Sequence, residues 1–312
     1  MSAERLKKQK LSGVFAPTVT AFNKDESLSL DGIRAFVRFL LEQGVDGLTP
    51  LGSAGEPVAM STAERKQALE TIVEEAGGRV PIYAGTSDYS TATTIELSLH
   101  ARSIGCDGLM LMAPYLLGPP KEDVLNHFRK IREKVGLPIM VYNVPLLTGI
   151  EITPEEIQML AEEDVVHSVK WSHVEVSKIQ DTRLLCGKDF SIFAGLDIIA
   201  FAALAVGADG WIGGIPMIAP ALAVRLHRLL TQEKNLDEAR ALWLRLLPII
   251  HIEYRAMGTS DARPHWLAVC RESAAIRGIP VGVSRAPLSP VDSGVREELR
   301  VVLTELEQLT AI

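Results

Sequence analysis

A five-residue phrase occurs three times in this chain, as Gly44-Val45-Asp46-Gly47-Leu48, Gly105-Cys106-Asp107-Gly108-Leu109 and Gly207-Ala208-Asp209-Gly210-Trp211. Each copy stands where a helical pattern stops and an apolar run begins, so its first glycine caps a helix and its Asp-Gly turn feeds a strand. A chain that repeats this joint is built from βα units, and the wider pattern agrees: short β-type runs alternate with helical patterns at intervals of about 25 to 35 residues. Eight such runs are read, at Gly13–Thr20, Gly47–Leu51, Pro81–Gly85, Gly108–Met112, Pro138–Tyr142, Val165–Lys170, Phe190–Ala194 and Gly210–Ile212. Eight strands with intervening helices specify an α/β fold of the (β/α)8, or TIM-barrel, class. Asp46, Asp107 and Asp209 then precede their strands and belong to the bottom of the barrel as turn residues, because barrel chemistry sits at the opposite face.

Helix starts carry their own punctuation. Ser61 followed by Glu64 makes a capping box, and Thr153-Pro154-Glu155-Glu156 sets a cap, a first-turn proline and acids at the positive end of a helix. After the eighth run, helical periodicity continues in Leu236–Met257, Asp261–Arg277 and Val295–Leu309 with no intervening linker. The expected organisation is a barrel over residues 13–230 and a C-terminal helical extension, 231–312, packed on it. Residues 1–12 are polar and basic without an apolar centre, and read as a flexible N-terminal arm rather than a secretion signal. Although hydrophobic residues make up 47 % of the chain, no apolar run reaches the roughly 18 residues that a helical membrane span needs. A net charge of -7 without a basic stripe argues against nucleic acid as a partner. Cys106, Cys186 and Cys270 lie far apart and match no disulfide or zinc spacing, so a reducing cytoplasm is the expected compartment.

The residues that follow the strand ends decide the chemistry. Lys170 closes the apolar run Val165-Val166-His167-Ser168-Val169. A lysine that a strand delivers to a barrel mouth is poorly solvated, and poor solvation disfavours the ammonium form relative to the nucleophilic amine that a Schiff-base enzyme uses. The same position suits a lysine that snorkels to solvent past its strand. The second run ends in Gly52-Ser53-Ala54-Gly55-Glu56, a tight turn whose glycines let backbone N–H groups face a ligand while Ser53 offers a hydroxyl. Such a turn can hold a carboxylate, and can equally be conformational only. The fifth run ends at Tyr142-Asn143-Val144-Pro145, one βα unit before Lys170. Neighbouring parallel strands lie about 5 Å apart, so Tyr142 and Lys170 can meet, although an aromatic at a core rim would look the same. Gly195-Leu196-Asp197 after the seventh run and Gly213-Gly214 after the eighth bring backbone close to whatever fills the mouth.

With these motifs in this order, the chain resembles the dihydrodipicolinate synthase and N-acetylneuraminate lyase family of class I pyruvate-type aldolases, from Gly13 to the C-terminal helices. Gly52-Ser53-Ala54-Gly55-Glu56 matches the family's Gly-Ser/Thr-Thr-Gly-Glu turn, Tyr142-Asn143-Val144-Pro145 its Tyr-Asn-x-Pro strand end, and Lys170 its Schiff-base lysine. The stretch from Gly207 to Gly214 is closer to the sialic acid lyase branch than to the synthase branch. The resemblance implies that Lys170 attacks the ketone of a 2-oxo acid to give an iminium, the electron sink for breaking or making the adjacent C–C bond through an enamine. It implies that Tyr142 shuttles the proton, that Ser53 hydrogen-bonds this phenol, and that the amides of Ser53 and Ala54 hold the substrate carboxylate. Gly52, Ser172, Gly195, Asp197, Ile212 and Gly213 complete the implied substrate-binding set, Ser172 where lyases bind a substrate hydroxyl. Neither a metal nor an organic cofactor is implied. The implied partners are a small-molecule 2-oxo acid and an aldehyde, and the implied assembly is a homo-oligomer, a dimer or a tetramer.

Three departures bear on the reaction. Ala54 replaces a threonine and removes one hydroxyl from the carboxylate pocket while leaving the backbone donors. Leu116 stands where the synthase branch has a second tyrosine, and Leu147 where it has the arginine that grips its second substrate, so the 4-hydroxy-tetrahydrodipicolinate synthase reaction is disfavoured. With Leu196 and Ile198 also near the mouth, the expected aldehyde is less polar than a sugar acid. The leading reading is a class I aldolase or lyase of a 2-oxo acid. A dehydratase, deaminase or hydratase-aldolase would use the same iminium, and a non-catalytic ligand-binding barrel would keep the scaffold without the chemistry. A metal-dependent barrel enzyme is not indicated, because the strand ends supply no Asp, Glu and His cluster.

Overall fold

The computed structural model describes residues 10–255 and 264–310. Eight parallel strands, β1 Gly13–Pro17, β2 Gly47–Thr49, β3 Tyr83–Gly85, β4 Gly108–Met112, β5 Ile139–Asn143, β6 Ser168–Trp171, β7 Ser191–Ala194 and β8 Gly210–Trp211, run in the order β2-β1-β8-β7-β6-β5-β4-β3. A bridge between Leu48 and Ile82, with the Leu48 N–H donating to Pro81 O at 3.0 Å, joins β2 to the β3 segment and closes the ring. Helices α1 Leu30–Glu42, α2 Thr62–Ala76, α3 Thr91–Ser103, α4 Lys121–Val135, α5 Pro154–Glu162, α6 Ser177–Cys186, α7 Ala200–Ala205 and α8 Pro220–Arg228 alternate with the strands. The molecule is the expected (β/α)8 barrel.

The repeated phrase explains how the ring is pinned. Asp46 Oδ2 accepts the N–H of Val14 at 2.8 Å, Asp107 Oδ2 that of Ile82 at 2.8 Å, and Asp209 Oδ2 that of Ile192 at 2.9 Å. Each carboxylate thus satisfies a donor at the start of the neighbouring strand, on the N-terminal face. The leading glycines Gly44, Gly105 and Gly207 take φ of 79°, 92° and 114°, which a side chain would strain. The trailing glycines serve packing: Gly47, Gly108 and Gly210 pair in register with Phe15, Tyr83 and Phe193. A Cβ on them would fall within 2.6, 2.4 and 2.3 Å of those rings. The three aromatics fill the barrel interior together with Met110, Met140, Tyr142, Val144 and Ile212. A larger layer between strands and helices forms the main core, each fully buried aliphatic or aromatic side chain contributing about 1.5–3 kcal/mol.

Both expected capping boxes are present, at Ser61–Glu64 and Thr153–Glu156. Strand bounds differ from the expectation where apolar character belongs to helix ends. Val165 and Val166 are buried, but their N–H groups bond Leu160 O and close the α5 terminus, so β6 starts at Ser168 and runs one residue past Lys170. β1 ends at Pro17, and Thr18–Thr20 lie outside the strand. After β8 come α9 Leu236–Tyr254, α10 Trp266–Ile276 and α11 Ser293–Thr310. The expected arm lies, up to residue 9, outside the described residues, as do the expected helix end at Met257 and helix start at Asp261. Among the described residues no helix is long and apolar enough to cross a membrane.

Candidate active site

Register places the central pair. Tyr142 on β5 is the partner of Lys170 on β6, and paired positions of adjacent parallel strands share a face. Both side chains therefore enter the barrel mouth, where Lys170 Nζ stands 3.8 Å from the centroid of the Tyr142 ring. Each residue is 5 % exposed, and among the described residues Lys170 has no carboxylate within ion-pair distance. Tyr142 Oη lies 3.1 Å from Ser53 Oγ across the mouth. The structure thus unites three residues drawn from the ends of β2, β5 and β6.

Ser53 sits in a single tight turn, Ser53–Gly55, followed by Glu56 at φ 53° in the left-handed region. The turn is fixed from behind. Thr20 Oγ1 donates to Gly55 O at 2.7 Å, and Arg271 from α10 pairs with Glu56, its Nε donating to Oε1 at 3.0 Å. Arg271 also donates to Val281 O at 2.9 Å and Thr20 O at 2.5 Å. Its side chain and that of Glu56 are 5 % and 4 % exposed, so the pair is a fully interior clamp on the turn.

Lys170, Tyr142 and Ser53 border a cavity of about 610 Å³ that also reaches Gly52, Ala54, Ser172, Gly195, Asp197 and Gly213. Three strand-end glycines make room for three polar side chains. A Cβ on Gly195 would fall 2.2 Å from Ser172 Oγ, one on Gly213 2.3 Å from Asp197 Oδ1, and one on Gly214 1.9 Å from Glu253 Oε1. Ser172 Oγ is buried without a hydrogen-bond partner among the described residues. Asp197 accepts the N–H groups of Gly214 at 2.7 Å and Ile215 at 3.0 Å. Its burial raises the carboxyl pKa above the usual range, against the pull of those two donors and of Lys170.

Two expected placements are corrected. Ile212 is fully buried in the inner aromatic cluster and does not line the cavity, because β8 turns its side chain into the barrel interior. Leu116 is 85 % exposed at φ 82° and also lies off the cavity wall, whereas Leu147, Leu196 and Ile198 do line it. Glu253, Tyr254 and Trp266 from the C-terminal helices border the cavity and were not singled out from the sequence. The available signal was a lone acid closing the apolar stretch Ile249-Ile250-His251-Ile252.

The fold and its mouth define a Schiff-base-forming lyase of the class I aldolase type. Residues 10–306 match the Dihydrodipicolinate synthetase family, and the chain belongs to that family. It is 32 % identical over 291 residues to a 4-hydroxy-tetrahydrodipicolinate synthase of Pelobacter propionicus, covering 93 % of this chain and 97 % of the relative. A synthase of the same name from Methanopyrus kandleri is 33 % identical over 298 residues, 95 % of this chain and 96 % of the relative. Among solved structures, YagE, a prophage protein of the dihydrodipicolinic acid synthase family from E. coli K12 in complex with pyruvate, matches with a TM-score of 0.87 at 29 % identity. The match covers 95 % of this chain and 99 % of that one.

Proposed function

We propose that the chain condenses pyruvate, or a close 2-oxo acid, with an apolar aldehyde and cleaves the corresponding 4-hydroxy-2-oxo acid, with Lys170 as the imine-forming residue. The observation that carries this reading is the contact of Lys170 Nζ with the Tyr142 ring, with the phenol in turn bonded to Ser53. The Lys170 amine adds to the C2 carbonyl, and loss of water leaves the iminium. Tyr142 relays the protons of that dehydration and takes the C3 proton that converts iminium to enamine, with Ser53 orienting the phenol. The enamine carbon bonds the aldehyde carbon, and water then releases the product and the amine. Ser53 and Ala54, on the clamped turn, present backbone donors to the substrate carboxylate.

Leu147 on the cavity wall supports an apolar second substrate, and it stands where the resemblance places the synthase branch's carboxylate-gripping arginine. We propose further that the enzyme works in the cytoplasm as a homo-oligomer. Leu116 and Leu117, 85 % and 68 % exposed, are side chains that an interface would cover.

Borohydride treatment with pyruvate should add a reduced pyruvyl group to Lys170, read by intact mass and peptide mapping. No adduct, or an adduct that persists in Lys170→Ala, refutes the assignment. Sedimentation at micromolar concentration reads the assembly, and a monomer would refute that part.

A further inference from the structure

The cavity lining combines apolar side chains with two buried acids. Leu146 and Leu147 after β5, Val174 after β6 and Ile198 after β7 line it, and all four are more than two-fifths exposed. Asp197 after β7 and, from the last turn of α9, Glu253 line it as well. Glu253 is 2 % exposed, and its Oε2 has no hydrogen-bond partner among the described residues. A buried carboxyl left unpaired lowers the stability of the fold, so an apolar residue would serve α9 better unless a ligand completes the group.

The neighbours decide its protonation. Asp197 already holds two backbone N–H groups and faces Lys170, whereas Glu253 Oε2 has no hydrogen-bond partner among the described residues, so of the two adjacent acids Glu253 is the one suited to carry a proton. Burial and the charge of Asp197 both push the Glu253 carboxyl well above the ordinary carboxylate range. Among the described residues, Tyr254 on α9 and Cys270 on α10 also face this pair and are themselves held neutral by burial. Glu253 therefore presents an O–H donor to the cavity.

We propose that Glu253 is a further catalytic residue, the acid that binds and protonates the aldehyde oxygen in condensation, while the aldehyde's apolar substituent lies against Leu146, Leu147, Val174 and Ile198. The proposal rests on the reading of Lys170 as the imine-forming residue. As the enamine carbon bonds the aldehyde carbon, the carbonyl π pair moves onto oxygen and the Glu253 proton follows it, giving a hydroxyl, a carboxylate and the iminium at C2. The carboxylate regains a proton from solvent after the product is hydrolysed from Lys170, which matches the proton lost at C3. In cleavage the same carboxylate takes the hydroxyl proton. An aldehyde carbon fixed by the enamine, by its oxygen and by its substituent is attacked on one face only, so the product has one configuration.

The test uses the full chain with pyruvate and two probes, benzaldehyde and glyceraldehyde. Wild type is expected to favour benzaldehyde and to give one enantiomer. Glu253→Gln should keep borohydride trapping of pyruvate and its benzaldehyde KM within about threefold, while kcat falls about 10²-fold or more. Glu253→Leu should lose both rate and enantioselectivity, yet unfold at the same or a higher urea concentration than wild type. A purely structural glutamate would not give that combination. The Glu253 assignment is overturned by wild-type kcat in Glu253→Gln, by retained selectivity in Glu253→Leu, or by a destabilised Glu253→Leu, in each case with the pyruvate adduct intact. Preference for glyceraldehyde overturns the apolar subsite. Absence of the adduct in wild type overturns the Lys170 reading, and this proposal with it.

Discussion

Arg271→Met tests whether the C-terminal helices hold the turn that faces the substrate carboxylate. Methionine keeps most of the aliphatic stem and deletes the guanidinium, which pairs with Glu56 and donates to Val281 O and Thr20 O. Glu56, 4 % exposed, becomes a lone interior carboxylate, a change that costs about 3–5 kcal/mol when one partner of a buried pair is removed. Thr20 O is left without its donor and adds about 1 kcal/mol, whereas Val281 O keeps the Phe22 N–H at 3.3 Å. The expected loss is thus about 4–6 kcal/mol, or a fall in the urea midpoint of more than about 1 M at a slope near 3 kcal/mol/M. Adding Glu56→Gln removes the stranded charge and should return all but about 2 kcal/mol, so the double variant should be about 2–4 kcal/mol more stable than Arg271→Met alone. In both variants the KM for pyruvate should rise while trapping at saturating pyruvate persists, because the clamp acts on the turn and not on Lys170. A midpoint within about 0.2 M of wild type, or an unchanged pyruvate KM in the single variant, would refute the clamp.

Tyr142→Phe keeps the ring beside Lys170 but removes the hydroxyl bonded to Ser53. Imine should still be trapped, with turnover down about 10²–10⁴-fold, and unchanged turnover would remove Tyr142 from the mechanism. Gly195→Ala drives a Cβ to 2.2 Å from Ser172 Oγ and 2.7 Å from Trp171 O. It should lower stability by about 1–3 kcal/mol, only part of which Ser172→Ala restores, and an unshifted melting temperature would contradict the packing. His127 is 3 % exposed with Nδ1 2.9 Å from Thr91 Oγ1, and burial lowers its pKa from 6.5 to about 4. The unfolded chain then binds the proton first as pH falls, so stability present above pH 6.5 is lost towards pH 4, by up to about 3 kcal/mol. Chemical denaturation across that window should show the slope in wild type and a flatter one in His127→Gln.

What was legible in the sequence is what local physics controls. A helix-capping glycine and an Asp-Gly turn are decided within five residues, so the repeated phrase reveals the βα joints, and parallel strands of known spacing then bring Tyr142 and Lys170 together. Strand ends were less legible, because Val165 and Val166 are as apolar as a strand while their N–H groups close a helix. Ile212 was misplaced for a related reason: strand-end residues alternate between cavity wall and inner cluster, and a β8 of two residues is too short to show its phase. Arg271 and Glu253 escaped altogether. The clamp joins residues 215 positions apart, and no local pattern encodes such a contact.

The missed residues share an origin in the C-terminal helices, and this says how labour is divided in the molecule. Lys170 and Tyr142, the proposed reacting pair, stand on adjacent barrel strands, where register holds them to a fixed separation and substitution would disturb the ring itself. Arg271, which clamps the Ser53–Gly55 turn, and Glu253, which borders the cavity, come from α10 and α9, which pack on the mouth without belonging to the ring. Such an arrangement lets the choice of aldehyde change through helix and loop residues such as Glu253, Leu146 and Leu147 while the imine chemistry stays fixed on β5 and β6. It also accounts for a chain that carries the lysine, tyrosine and turn of the family it resembles while Leu146, Leu147, Val174 and Ile198 line its cavity beside Asp197 and Glu253.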